Sequence, residues 1–194
     1  MPRTKAFCEV AVLEKAMELF WKQGYHATSI NDLVGYLGIN RASLYSSYKS
    51  GKKELFVKAF HHYQDTNTQK TKAFLAEQKS VKEGIKNLFL NSIQNALQDS
   101  DRKGCFVINC TTELLPNEQE FLPLIIESQE TITQIFKDYL QLGVEKGEIA
   151  ADKDLDTIAA YLFTLYGGLQ VNAKINSNPT SLKNTVLVGL SILD

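Results

Sequence analysis

Behind the glycine of "LGINRASLYSSYKSGKKELF" stand Asn40, Arg41, Ser43, Ser46, Ser47 and Lys49, short hydrogen-bonding side chains and cations gathered into one stretch. Read as a short helix, Asn40 takes the N-cap, while Leu44 and Tyr48, four apart, turn toward a core. The remaining positions then point outward. Short donors at a helix N-terminus can meet phosphate oxygens and base edges, and Arg41 is long enough to grip a guanine in bidentate fashion. A solvated polar face would use the same residues, so the stretch alone leaves both readings open.

Catalytic chemistry has no comparable cluster. We find no Ser/His/Asp order, no glycine-rich phosphate loop and no metal-ligand spacing, and therefore expect no enzyme, no cofactor and no metal. Cys8, Cys105 and Cys110 are an odd set without a paired framework, as expected where thiols stay reduced. Cys105 and Cys110 lie roughly 140° apart on a helix. Buried structural thiols are the simpler expectation, with redox sensing by Cys105 as the alternative. His61 and His62 are adjacent on one helix and so face different neighbours.

The elements that must position the polar stretch follow from apolar periodicity, which is helical throughout. "VAVLEKAMELFWKQG" repeats Val10, Leu13, Met17 and Phe20 and stops at Gly24, after a basic arm. In "HATSINDLVGYLG", Thr28 or Ser29 can cap a short helix that turns Ile30, Leu33, Val34 and Leu37 inward and ends at Gly38. Two short helices joined by a glycine turn make the outline of a helix-turn-helix. From Lys53 a long helix carries Leu55, Phe56, Ala59, Phe60 and Tyr63, and its polar middle, "QDTNTQKTK", suits a bridge between two cores. Further helices are expected from Val81 to Leu97, over "CFVINCTTELL", from about Phe121 to Leu142, and over Leu155–Ile175 and Leu182–Leu193, with Pro179 barring continuation between the last two.

Charge divides the chain. Residues 1–60 carry 9 Lys+Arg against 5 Asp+Glu, whereas the whole chain has a net charge of −1. A basic head on an acidic body suits a polyanion-binding module attached to a second part. No run of about 18 apolar residues offers a membrane span, and the start has no apolar signal region, so a cytoplasmic protein is expected.

The stretch "VLEKAMELFWKQGYHATSINDLVGYLGINRASLYSSYKSGKKELF" resembles the N-terminal domain of the TetR (tetracycline-repressor-like) transcriptional regulators. The likeness rests on "LEKAMELF", on the "GYHATSI" junction with Gly24, Tyr25 and Thr28, on Gly38, and on "SLYSSY" followed by a lysine and "ELF". It implies an all-α fold with a three-helix helix-turn-helix DNA-binding domain over residues 1–52. A long helix then joins an effector-binding and dimerisation domain over residues 53–194, about nine helices in all. It further implies that Thr28 caps the second helix and bonds a phosphate, and that Asn40, Arg41 and Ser43 face the major groove. Tyr45 would touch the phosphate backbone, Tyr48 stands at an aromatic position that usually packs the domain, and Lys52 matches a phosphate-binding lysine. The link "YKSGKKEL" is one residue longer than the common form, which leaves Lys52 and Lys53 as alternatives. The DNA-facing set is therefore Thr28, Asn40, Arg41, Ser43, Tyr45, Tyr48, Lys49, Lys52 and Lys53. Ala42 stands where the family often has glycine, and Val34 and Leu37 where it usually has alanine.

The resemblance also implies a small-molecule effector cavity in the C-terminal body. Phe106, Asn109, Cys110, Phe136, Tyr139, Tyr161, Tyr166 and Gln170 combine aromatic walls with a few polar groups, the composition of such a site and equally of ordinary core. Leu155, Ile158, Leu162, Leu165 and Leu169 form one stripe and Leu182, Val186, Gly189 and Leu193 another, with Gly167 and Gly168 allowing close approach. Two such stripes favour a homodimer through a four-helix interface, reading a palindromic operator in double-stranded DNA. The expected protein is a repressor released by its effector. A helical ligand-binding bundle without DNA binding and a protein-interaction adaptor are the rival readings.

Overall fold

The protein is described from a computed structural model, and the description covers residues 8–194. The basic arm expected before the first helix lies outside the described residues. Among those residues the regular structure is entirely helical: α1 (Glu9–Gln23), α2 (Ile30–Leu37), α3 (Arg41–Ser47), α4 (Lys52–Ala76), α5 (Val81–Gln98), α6 (Phe106–Leu114), α7 (Leu122–Glu145), α8 (Leu155–Ile175) and α9 (Pro179–Leu190). Short 3-10 turns precede α7 and follow α9. No helix among the described residues is long and apolar enough to cross a membrane.

The chain forms two compact units. The first comprises the described residues up to Asn67 together with Asn109–Leu124, and the second Thr68–Ile108 with Ile125–Asp194. Helices α4, α6 and α7 each have one end in either unit.

In the first unit, Val12, Ala16, Leu19 and Phe20 of α1 bury against Leu33, Leu37, Leu44, Tyr48, Leu55, Phe56, Ala59 and Phe60 in one apolar interior. The expected stripe on α1 is corrected by one position: Val10 is half exposed, and Val12 and Ala16 take the inner face. Ala16 carries little hydrophobic signal, yet it is fully buried. Phe56 is the centre of an aromatic cluster, with ring centroids 5.2 Å from Phe20, 4.8 Å from Tyr25 and 5.3 Å from Phe121. These contacts are edge-on, the arrangement that aromatic quadrupoles favour.

In the second unit α5 packs against both α8 and α9. Val81, Ile85, Phe89 and Ile93 of α5 share a core with Phe136 and Leu140 of α7, Ile158, Leu162 and Leu169 of α8, and Leu182, Val186 and Leu190 of α9. The last helix starts earlier than Leu182. Pro179 occupies its first turn behind the Asn178 N-cap, where a missing N–H costs nothing.

Trp21, the only tryptophan, stacks edge-on against Tyr63 at 5.3 Å and so reports on the first unit. Phe56→Ala is expected to destabilise that unit by about 3–5 kcal/mol, the usual cost of emptying a buried phenylalanine site. Urea unfolding followed by Trp21 fluorescence reads the shift directly.

Candidate functional site

The head of α2 is fixed by a reciprocal capping box. Asp32 N donates to Ser29 Oγ at 3.1 Å and Ser29 N to Asp32 Oδ2 at 2.8 Å. The N-cap is therefore Ser29, which corrects the expectation that Thr28 caps this helix. Thr28 is fully buried, and its hydroxyl donates to the Gly24 carbonyl at 2.6 Å, tying α2 to the end of α1. The Ser29 hydroxyl first, and the Ser29 backbone N–H after it, favour the ionised Asp32 carboxyl and hold its pKa below the ordinary aspartate value.

Gly38 closes α2 in the left-handed conformation, at φ 69°. Two residues on, Asn40 caps α3 as expected by accepting from Ser43 N at 2.8 Å. Leu44 and Tyr48 are fully buried, so α3 is anchored by one face. Tyr48 cannot belong to a DNA-facing set, because its ring sits inside the first unit; burial first, and Glu9 and Glu54 after it, push its phenol up to about 12.

Asn40, Arg41 and Tyr45 are exposed, and Ser43 is partly so. Arg41 Nη2 donates to Asn31 Oδ1 at 3.3 Å, which braces the guanidinium from the neighbouring helix. Tyr45 lies over Gly51: a Cβ there would come within 2.9 Å of its ring, and the backbone at φ 62° favours glycine independently. Lys49 is exposed and makes no ion pair among the described residues. Lys52 Nζ donates to the Tyr25 carbonyl at 3.0 Å and sits 4.3 Å from the centre of the Tyr25 ring. Lys53 pairs with Glu120 and approaches the Phe121 ring. Sequence reasoning did not single out Asn31, the exposed Tyr36 or Glu113, whose carboxylate accepts from two backbone amides near Gly24. Only the first two carried a signal, as polar or aromatic residues on the outer positions of α2.

The residues expected around an effector divide. Phe89 brings Phe136 and Tyr166 together, at 6.1 and 6.0 Å between ring centres. Gln170, one turn beyond Tyr166 on α8, is buried. Burial, with a lesser contribution from Cys105, pushes the Tyr166 phenol well above its ordinary pKa. Tyr139 turns elsewhere, its hydroxyl donating to the Ser80 carbonyl at 3.5 Å, and Tyr161 packs beside Gly189. Phe106 is buried in the second unit; Asn109 and the buried Cys110 belong to the first. Cys105 is also buried, Cys8 is exposed, and all three are free thiols.

Most positions of the two apolar stripes expected to meet a second copy are spent within the chain, Leu155 and Leu165 being only partly buried. Ile158, Leu162, Leu169, Leu182, Val186 and Leu193 are all buried in the second unit, because α5 covers them. The glycines also sort differently: Gly189 lets α9 close on Leu165, Gly167 meets Ile108, and Gly168 faces open space. Exposed apolar surface lies on the other face of α8 and α9, at Val171 (50% exposed), Ile175 (83%) and Val188 (75%).

Comparison with known proteins decides the class. Residues 12–59 match the family of bacterial regulatory proteins named for tetR, and residues 82–186 match the tetracyclin repressor-like C-terminal domain. Along its whole length the chain is 34% identical to the whole of the HTH-type transcriptional regulator YezE of Bacillus subtilis (strain 168). This chain belongs to the TetR family of DNA-binding transcriptional regulators. It is also 32% identical to the HTH-type transcriptional repressor ComR of Escherichia coli (strain K12), over 89% of this chain and 82% of ComR. Among solved structures, a cysteine mutant of the TetR family transcriptional regulator CifR, complexed with 26bp double-strand operator DNA, aligns over 100% of both chains with a TM-score of 0.86 and 25% identity. The TetR family dimerises and binds effectors, and the helix-turn-helix described above is its DNA-reading part.

The capping box gives the DNA-reading part an acid-side weakness. Its contribution is present above the ordinary aspartate pKa of about 3.9 and is lost as pH falls through the lowered value in the folded state. Asp32→Asn is expected to be less stable than the parent at neutral pH and to converge with it in acid, and denaturant midpoints at several pH values measure this. Ser29→Ala should cost about 1 kcal/mol at neutral pH.

Proposed function

We propose that this TetR-family regulator is a cytoplasmic, non-enzymatic repressor that binds a palindromic operator as a homodimer and leaves it when a small molecule occupies the second unit. The braced recognition helix is the observation that carries the reading. Arg41 is held outward by Asn31, with Asn40 and Ser43 beside it and the cap of α3 already satisfied, so little order is lost on docking. In this reading Arg41 reads a base, Tyr45 and Lys49 meet phosphates, and Thr28 contributes only by fixing α2.

Lys52 is the better phosphate lysine of the two at the head of α4. One of its three N–H donors goes to the Tyr25 carbonyl and two remain for phosphate, whereas Lys53 would first have to leave Glu120. The effector is assigned to the cluster of Phe89, Phe136, Tyr166 and Gln170, an aromatic wall with two hydrogen-bonding groups one turn apart on α8. The second copy is assigned to the exposed face at Val171, Ile175 and Val188, in place of the buried stripes.

Two measurements test the reading on a duplex selected from random oligonucleotides. Arg41→Ala should weaken binding by about 1–3 kcal/mol and relax the preference at one base pair, while Lys52→Ala weakens all duplexes alike and lowers the salt slope by about 1. Equal binding by parent and Arg41→Ala would overturn the assignment. Separately, Val188→Asp should place a charge in the subunit contact and convert the dimer to monomers in sedimentation; an unchanged dimer sinks this choice of face.

A further inference from the structure

Helix α6 begins in the second unit and ends in the first, and its last turn carries Glu113. There the carboxylate is fully engaged by the connection between α1 and α2: Oε2 accepts from Tyr25 N at 3.0 Å and Oε1 from His26 N at 2.7 Å. Charge-assisted hydrogen bonds of this kind are roughly twice as strong as neutral ones. Gly24 makes the approach possible, since a Cβ at that position would stand 2.9 Å from both carboxylate oxygens. The Gly24 carbonyl in turn accepts the Thr28 hydroxyl, and Thr28 immediately precedes the Ser29 cap of α2. A continuous chain of short polar contacts thus runs from α6 to the first turn of the helix-turn-helix.

We propose that Glu113 is the positioning residue for DNA reading: its carboxylate holds the α1–α2 connection in the reading geometry, and displacement of α6 releases it. The inference rests on the effector-released repressor described above, which supplies the reason for α6 to move. Glu113 touches no DNA in this scheme. It acts through Gly24, Thr28 and Ser29 on the angle at which α2 and α3 are presented.

Electrostatics and positioning predict opposite signs, which makes the proposal sharp. Removing a carboxylate from the basic head should on charge alone tighten binding to a polyanion. Loss of a positioning contact should weaken it. With the full-length dimer and a selected duplex, Glu113→Ala and Glu113→Gln are expected to bind at least ~10-fold more weakly, with the salt slope unchanged because no phosphate contact is lost. Glu120→Ala, which removes a surface carboxylate nearby in sequence, serves as the charge control and should bind as tightly as the parent or more tightly. Amide hydrogen exchange should quicken at Tyr25, His26 and the first turn of α2 in the Glu113 variants.

Should Glu113→Ala fail to fold, Glu113→Gln keeps the size and one acceptor and remains readable. Binding by folded Glu113→Gln equal to or tighter than the parent overturns the proposal, as does unaltered exchange at the first turn of α2. Failure of the parent itself to select any duplex would instead overturn the repressor reading, and the exchange measurement, made without DNA, still decides whether Glu113 orders this connection.

Discussion

The aromatic cluster around Phe56 is the constraint on which the DNA-reading half depends. Three helices shorter than twenty residues cannot enclose a core of native size, and small domains bury a correspondingly small fraction of their chain. Here the deficit is met from a distant part of the sequence. Phe121 reaches both Tyr25 and Phe56, at 5.2 and 5.3 Å, and Leu114 is fully buried beside the segment that carries it. The head of this regulator therefore includes residues 109–124 as structural members.

Much of this fold was legible in the sequence. Helical periodicity, the glycines at 24 and 38 and the Asn40 cap located the first three helices within a residue or two, because local chemistry decides them. What was not legible depended on contacts far apart in the chain. Nothing in "GYHATS" announces that Tyr25 and His26 spend their amides on residue 113, and nothing in "KEL" or "NEQEF" pairs Lys53 with Glu120. The stripes of α8 and α9 failed for a related reason. Their period marks an apolar face correctly, but α5 and a second subunit are equally good partners for such a face, and only packing distinguishes them.

The candidate site shows the same split between type and role. Arg41, Asn40 and Ser43 were identifiable from residue chemistry and helix phase, and they are placed outward together. Thr28 and Ser29 are chemically interchangeable as caps; which one caps depends on where Gly24 puts its carbonyl, and the Thr28 hydroxyl follows that carbonyl inward. Tyr45 and Tyr48 are three apart, yet one lies on the surface and the other is enclosed, so one short helix has an anchored face and an exposed one.

The link after α3 sharpens this further. The structure shows what the glycine in "KSGKK" does. Gly51 adopts a left-handed conformation and clears space for the Tyr45 ring. Lys52 and Lys53 then begin α4 in a fixed phase, and consecutive helical residues must diverge by about 100°. One ammonium is thereby directed to the Tyr25 carbonyl and the other to Glu120. The two lysines are adjacent in sequence but bind opposite kinds of partner, a carbonyl that leaves donors free and a carboxylate that neutralises the charge. That difference follows from helix phase, which gives two neighbouring ammonium groups unlike surroundings.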